Sequence, residues 1–256
     1  MTVDILKAII LGIVQGVTEF LPISSSGHLA LLGGFLGFEE GTLMATMMHI
    51  GTLLALIVYF RGDISRIVLS PFKRDVKYLK LLWFLILGTI PAVIFGVLLL
   101  HHIESIFDSP LLIGICLVFT GVILFLSGFM RRERKEIRFL DAILVGIGQA
   151  IAILPGVSRS GTTISTGTFL GLDRTTSANF SFLLAIPAIL GAAVLEISSV
   201  KGSSITFALL VGAFVSFLTS LVAIRFLLAF LKKTTLRPFS YYCFAIGILS
   251  ILIALR

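Results

Sequence analysis

Gln15 and Glu19 stand four residues apart, and the run Ser24-Ser25-Ser26-Gly27-His28 follows directly in the same segment. A second polar group, Ser158-Arg159-Ser160-Gly161-Thr162-Thr163, lies in the other half of the chain. Carboxylate, imidazole and hydroxyl are the groups from which a nucleophile and its base are assembled. Arginine is a permanent planar cation suited to two phosphate oxygens at once. Serine hydroxyls add donors, and Gly27, Gly156 and Gly161 let backbone approach a ligand closely. Each group also precedes an apolar stretch. A helix starting there offers free N–H groups and the positive end of its dipole, which is an anion site. An anion cradle set among apolar residues suits a lipid phosphate or diphosphate.

The two groups belong to a repeat with an offset of 134 positions. Gly12–Gly27 reads GIVQGVTEFLPISSSG and Gly146–Gly161 reads GIGQAIAILPGVSRSG. Gly12/Gly146, Ile13/Ile147, Gln15/Gln149, Ser24/Ser158, Ser26/Ser160 and Gly27/Gly161 match in register. The same offset aligns Phe35-Leu36-Gly37 with Phe169-Leu170-Gly171, and Glu39 with Asp173. The copies differ where reactivity is concerned. Ile153 and Thr162 replace Glu19 and His28 in the second copy, which instead carries Arg159 opposite Ser25. One copy is equipped to attack and the other to hold.

The elements that position these residues must lie in a membrane. The chain of 256 residues is 57% hydrophobic and 13% charged, too little polar surface to cover a soluble domain of that size. Thr42–Phe60, Leu79–Leu100, Leu111–Met130, Ala178–Ile197, Ile205–Leu231 and Phe239–Leu255 are each apolar enough to cross about 30 Å of hydrocarbon. Asp4, Gln15 and Glu19 argue against a signal peptide at the start. Cys116 and Cys243 fall inside spans and read as small apolar packing residues without a disulfide. Basic residues cluster in Arg61–Lys80, in Arg131–Arg138 and at Lys232, Lys233 and Arg237, whereas His101–Pro110 and Ser198–Ser204 hold only Lys201. The positive-inside rule places those clusters in the cytoplasm. The net charge of +7 then reports orientation and contact with anionic membrane lipids, and no nucleic-acid partner is expected.

The arms flanking each polar turn are shorter than the roughly 20 residues a crossing helix needs. Two half-helices that enter and return on one side fit them better. Each half is then one hairpin plus three crossings, so the halves run in opposite orientation. The expected fold is all-α and integral to the membrane. It has about six transmembrane helices plus two re-entrant helical hairpins, about ten helices in all, arranged as an inverted-topology repeat. Residues 1–256 form a single domain with internal repeats 1–130 and 134–256. Irregular backbone at that depth must line protein or water, so the two tips should meet around a cavity. The first hairpin opens outward, which predicts a site facing the outside.

The strings QGVTEFLPISSSGH and LPGVSRSGTTIS resemble the two signature regions of the undecaprenyl-diphosphate phosphatase family of the bacitracin-resistance type. The segment Ser177–Pro187, SANFSFLLAIP, is similar to a further family segment. The resemblance extends over essentially the whole chain. It implies hydrolysis of the C55 prenyl diphosphate to undecaprenyl phosphate and inorganic phosphate, for recycling of the cell-wall lipid carrier, with bacitracin resistance. It also implies a divalent cation, Mg or Ca, and a multi-pass location in the bacterial cytoplasmic (inner) membrane. The family's first motif commonly has Glu at both ends of an E-x-x-x-E spacing. Gln15 takes the first place here, which the family also permits, so Glu19 is the principal carboxylate and the candidate metal ligand.

On this footing Ser25 is the expected nucleophile, giving a transient phosphoserine. His28, three residues on, accepts its proton, and Glu19 orients His28 or binds the cation with support from Gln15. Arg159 with Ser158, Ser160 and Thr163 holds the diphosphate, alongside Ser24, Ser26, Gly27 and Gly161. Ser24, Ser26 or a phospho-His28 intermediate stay open as alternatives to Ser25. A different function class also stays open, a transporter or flippase of a lipid phosphate or small anion, because inverted repeats are common among transporters. Oligomeric state is open too, a homodimer being one alternative. Of the other polar residues, His49 reads as a helix-contact histidine, Arg225 as a snorkelling cation and Glu196 as interfacial. His101 and His102 have no ligand spacing for zinc. Pro91 and Pro187 read as kinks, and Phe20, Phe35 and Phe38 as packing residues.

Overall fold

The computed structural model describes residues 5–36, 42–107, 109–130, 133–199 and 205–255. Its first part comprises α1 (Ile5–Thr18), α2 (Ser25–Leu36), α3 (Thr42–Tyr59), α4 (Arg61–Lys73), α5 (Val76–Phe107) and α6 (Pro110–Ser127). The second part comprises α7 (Phe139–Ile151), α8 (Arg159–Phe169), α9 (Arg174–Ser199), α10 (Phe207–Leu231) and α11 (Arg237–Ala254). Five of these, α5, α6, α9, α10 and α11, contain stretches long and apolar enough to cross a membrane, and α3 with α4 would make a sixth if the bent pair were one span. The protein is an all-helical, multi-pass membrane protein.

The boundaries follow local chemistry. Ser109 accepts from Leu112 N at 3.3 Å and Pro110 opens α6, which stops α5 and restarts the chain. No Gly or Pro interrupts residues 101–107, so α5 runs to Phe107 through most of the segment expected as a loop from His101. Asp173 accepts from Thr175 N and Thr176 N at 3.0 and 3.1 Å, so α9 starts at Arg174, ahead of the expected Ala178. The larger departure is α4. The expected Arg61–Lys80 loop contains a helix bent 76° from α3, ending at Arg74, whose φ of 52° closes the last turn with an N–H bond to Ser70 O. Phe72 is 84% exposed beside Lys73, while Ile67 and Ser70 are buried. An apolar face flanked by basic residues suits a helix lying along an interface. Phe38 and Glu39 of the sequence reading lie outside the described residues.

Helices cross where side chains are smallest, as expected where lipid leaves close packing to hold helices together. α1 packs along α10 and α7 along α5. At the first crossing a Cβ on Gly12 would meet Gly212 O at 2.6 Å, and at the second a Cβ on Gly146 would meet Gly88 O at 2.4 Å. Gly12 and Gly146 are the same position of the sequence repeat. α6 and α11 pack together at Gly114 and Gly247, where a Cβ on either would stand 2.8 Å from the other's carbonyl oxygen. Phe20, Phe60 and Phe182 fill the core beneath the first tip, Phe20 and Phe182 meeting edge to face at 5.4 Å. At the basic end Arg134 grips Asp141 through both oxygens, at 2.6 and 2.9 Å, and Leu170 O at 2.8 Å, tying the 133–138 segment to the base of α7 and α8. The carboxylate of Asp141 raises the Arg134 guanidinium above the ordinary arginine range.

Candidate active site

Each polar tip is a turn between two short helices, α1–α2 and α7–α8, and the two are built alike. Ser24 Oγ accepts from Gly27 N at 3.3 Å, and Ser158 Oγ accepts from Gly161 N at 3.1 Å. His28 N and Thr162 N donate to the Ser24 and Ser158 carbonyls at 3.2 and 2.8 Å. Ser24 Oγ lies 3.3 Å from Ser26 Oγ, as Ser158 Oγ does from Ser160 Oγ. The paired serines thus cap the returning helices and satisfy amide groups that would otherwise be bare. The copies differ in backbone. Ser24 has φ 69°, a left-handed conformation that costs a non-glycine residue about 1–3 kcal/mol, whereas the second tip places Gly156 at φ 91°.

The tips touch. A Cβ on Gly27 would come within 3.1 Å of Gly156 Cα, and Ser160 Oγ donates to Leu21 O at 3.1 Å. Thr120 of α6 holds the second tip from behind, donating to Gly156 O at 3.1 Å and accepting from Ser158 N at 3.0 Å. Thr163 Oγ1 donates to Arg159 O at 2.7 Å and lies 2.5 Å from Ser181 Oγ of α9. Cys243 of α11 is buried against Pro22 O of the first tip, and both cysteines are free.

At this junction Glu19 is the hub. Its Oε2 accepts from Ser25 Oγ at 2.6 Å and from Gln15 Nε2 at 3.1 Å, while Oε1 pairs with Arg159 Nη2. The two charged side chains are only 7% and 15% exposed. Two buried atoms beside them have no partner among the described residues: Arg159 Nη1, a donor, and Gln15 Oε1, an acceptor. The unused arm of the Arg159 cation beside a hydroxyl held by a carboxylate makes a place where an anion can be taken up, and the idle amide oxygen of Gln15 can accept a hydrogen bond or a cation next to it.

His28 has a different setting from the one its spacing suggested. Nδ1 lies 2.7 Å from Ser24 O and Nε2 lies 2.7 Å from Tyr242 Oη, and the two rings stack at 5.5 Å. A carbonyl only accepts, so Nδ1 carries the proton in that bond and Nε2 faces the tyrosine hydroxyl. Both ring nitrogens are thereby engaged, and the Ser25 hydroxyl is received by Glu19 instead. Arg159, Gln15, Glu19 and Ser25 form one connected set, while Ser24, Ser26, Ser158, Ser160, Gly161 and Thr163 build the turns around it.

Thr120, Ser181 and Tyr242 were not singled out from sequence. Thr120 is the one Thr in an apolar span, Ser181 lies in the family-like Ser177–Pro187 segment, and Tyr242 sits in the first turns of a span. Each is a weak signal by itself. His49 donates to Ala45 O of its own helix at 2.9 Å, and Glu196 accepts from Thr46 Oγ1 at 2.7 Å, linking α9 to α3.

A helical membrane protein with two capped turns meeting at a carboxylate–arginine pair is the class defined so far. The family model for bacitracin resistance protein BacA matches residues 8–249, and the chain belongs to that family. It is 40% identical to an undecaprenyl-diphosphatase of Methanosphaera stadtmanae, over 98% of each chain. It is 41% identical to one from Methanobrevibacter smithii over 96% of each, and 42% identical to one from Moorella thermoacetica over 93% of each.

Proposed function

We propose that this protein is an undecaprenyl-diphosphate phosphatase, hydrolysing the C55 prenyl diphosphate to the monophosphate carrier and inorganic phosphate. Its cellular role is recycling of the cell-wall lipid carrier, with resistance to bacitracin. The relatives' shared name over nearly their whole length supports the reaction class. The observation that carries the site is the hydroxyl–carboxylate–guanidinium chain Ser25–Glu19–Arg159 across the two tips.

In the proposed reaction Arg159 takes oxygens of the terminal phosphoryl group, first through the unused Nη1. Ser25 Oγ attacks that phosphorus as its proton passes to Glu19 Oε2. The bond to the bridging oxygen breaks and its electron pair leaves with the prenyl monophosphate. This leaving group is itself a phosphate and needs less protonation than an alkoxide. Water then attacks the phosphoserine. The proton held by Glu19 returns to Ser25 Oγ as that bond breaks, and the proton lost by water departs on inorganic phosphate. His28 is given a positioning role, holding the Ser24 carbonyl and thus the turn that presents Ser25.

A divalent cation, Mg or Ca, belongs to the same reading. Among the described residues no three His, Cys, Asp or Glu side chains converge, so an all-protein cage does not fit. Glu19 with the unpartnered Gln15 Oε1 does fit a hard ion that draws its other oxygens from phosphate and water. When bound, such an ion supplies charge neutralisation on the diphosphate.

The tips are read as re-entrant hairpins of an inverted repeat in the cytoplasmic membrane, with the site facing outward. Support comes from the packing. Exchanging the halves maps α1 on α10 to α7 on α5, and it returns the pairs α3–α9 and α6–α11 to themselves.

The test is phosphate release from farnesyl diphosphate by detergent-purified protein. Release that disappears in Arg159→Ala is expected, and no release from any polyprenyl diphosphate would return the transporter reading. Sidedness is tested by labelling Ser26→Cys, which should react with an impermeant reagent added outside; reaction only from the cytoplasm overturns it.

A further inference from the structure

At the basic end of the helices, away from the tips, α4, α5 and α9 line two adjoining open cavities that the phosphatase reaction does not use, and α3 and α10 contribute to one of them. One, of about 500 Å³, is of mixed character; Lys77, Lys232 and Asp63 line it with Thr175 and Asn179, beside aromatic and aliphatic groups such as Phe60, Phe180 and Leu228. The other, of about 480 Å³, is apolar and is lined by Ile64, Leu82, Ile86, Ile90 and Pro187 among others. Leu183 lines both, and consecutive residues of α4 (Asp63, Ile64) and α5 (Leu81, Leu82) face one and the other. A chamber bearing charged groups therefore opens into an apolar groove, and Ile86 and Ile90, 44% and 45% exposed, turn the groove toward the membrane.

The charged chamber holds unspent chemistry. Among the described residues, Lys77, Lys232 and Asp63 have no ion-pair partner within 4.0 Å, and the Asn179 amide makes no hydrogen bond. Lys77 instead stands over the Tyr78 ring at 5.7 Å. Three charges that line one chamber sum to a single positive charge. That balance suits an anion with one negative charge better than a phosphomonoester, which carries nearly two at neutral pH. Asp63, repelled by phosphate, suits a hydroxyl donor on the same headgroup. The attached groove suits a long apolar chain.

We propose that this two-part cavity binds an anionic glycerophospholipid with a hydroxylated headgroup, of the phosphatidylglycerol kind. The phosphodiester lies between Lys77 and Lys232, headgroup hydroxyls meet Asp63 and Asn179, and one acyl chain follows the groove past Ile86 and Ile90. The site is separate from the Ser25–Glu19–Arg159 set. α9 lies between them, lining the cavity with Asn179 and Leu183 and bonding the second tip through Ser181.

Native mass spectrometry of the full-length protein, released from detergent after incubation with dioleoyl lipids, tests this. Wild type should retain phosphatidylglycerol and not phosphatidylcholine. Lys77→Ala with Lys232→Ala should lower that retention by about 30-fold, since two basic groups at a lipid headgroup are lost together. Ile90→Trp fills the groove without touching a charge and should lower retention independently, with phosphate release from farnesyl diphosphate kept in both variants. Retention unchanged in either variant, or equal retention of phosphatidylcholine, overturns the site. Preferential retention of farnesyl monophosphate over phosphatidylglycerol overturns the headgroup assignment.

Discussion

Glu19 and Arg159 are 140 residues apart and form an ion pair across the junction of the two tips, each charge the other's counter-ion in a setting largely shut from water. Removing one partner of such a pair leaves a bare buried charge, at a cost of about 3–5 kcal/mol. Removing both leaves none. Glu19→Gln and Arg159→Gln should each lower the thermal midpoint strongly, whereas the double variant should recover much of the loss and still release no phosphate. Additive destabilisation in that cycle would show that the pair is not coupled.

Ser25 donates to Glu19, and His28 is engaged with Ser24 O and Tyr242. Ser25→Ala should therefore lower turnover by at least about 1,000-fold, with a loss of about 1–3 kcal/mol in stability from the hydrogen bond taken from Glu19. Tyr242→Phe removes one hydrogen bond to a positioning residue and should lower turnover by about fivefold, the equivalent of about 1 kcal/mol. Near-normal turnover in Ser25→Ala, with complete loss in His28→Ala, would shift the nucleophile to the histidine.

Thr120 makes two hydrogen bonds to the second tip from a helix that carries no other part of the site. Thr120→Val keeps the shape and strands Gly156 O and Ser158 N in the interior. A loss of about 1–3 kcal/mol in stability is expected. Turnover should fall with it, because Ser158 and Arg159 begin the helix that this threonine holds. Unfolding in detergent and phosphate release, measured on one preparation, check both parts.

Gly156 combines φ 91° with a backbone wall, since an added Cβ would stand 2.6 Å from Ile113 O. Gly156→Ala should therefore cost about 1–3 kcal/mol from conformation alone, with the clash added to it. Gly62 offers a control on the same protein, its Cβ position being free of atoms within 4 Å. Gly62→Ala should be neutral or slightly stabilising within α4. Equal losses in the two variants would remove the special role of the Gly156 turn.

Much of this site was legible in the residues themselves. A capped helix start needs only a serine and the amide three positions on, so the repeat at Ser24 and Ser158 carries its own local geometry. Gln15 and Glu19 share a helix face for the same reason, and they hydrogen-bond at 3.1 Å. Residue type and spacing also brought Ser25 and Arg159 forward, and apolar length marked five of the six expected spans; Thr42–Phe60 counts as the sixth only if α3 and the bent α4 make one span. α4 does not stand out in the sequence because its Arg, Lys and Asp residues make the segment read as a basic loop.

What spacing could not decide was which groups meet across helices. Three residues separate His28 from Ser25, yet the imidazole turns to Tyr242, 214 positions away, because α2 and α11 meet at that turn. The carboxylate reaches both Ser25 and Arg159 because the tips close on each other at Gly27 and Gly156. Such contacts depend on helix crossings set by small residues, Gly12 against Gly212 and Gly146 against Gly88, and a shift of one turn at either would part them. By itself the sequence marked the candidate reactive groups, their two capped turns and their place in a membrane. Only the tertiary structure decided that Glu19 is the shared partner of Ser25 and Arg159, because that depends on two surfaces packing and not on any one helix's period.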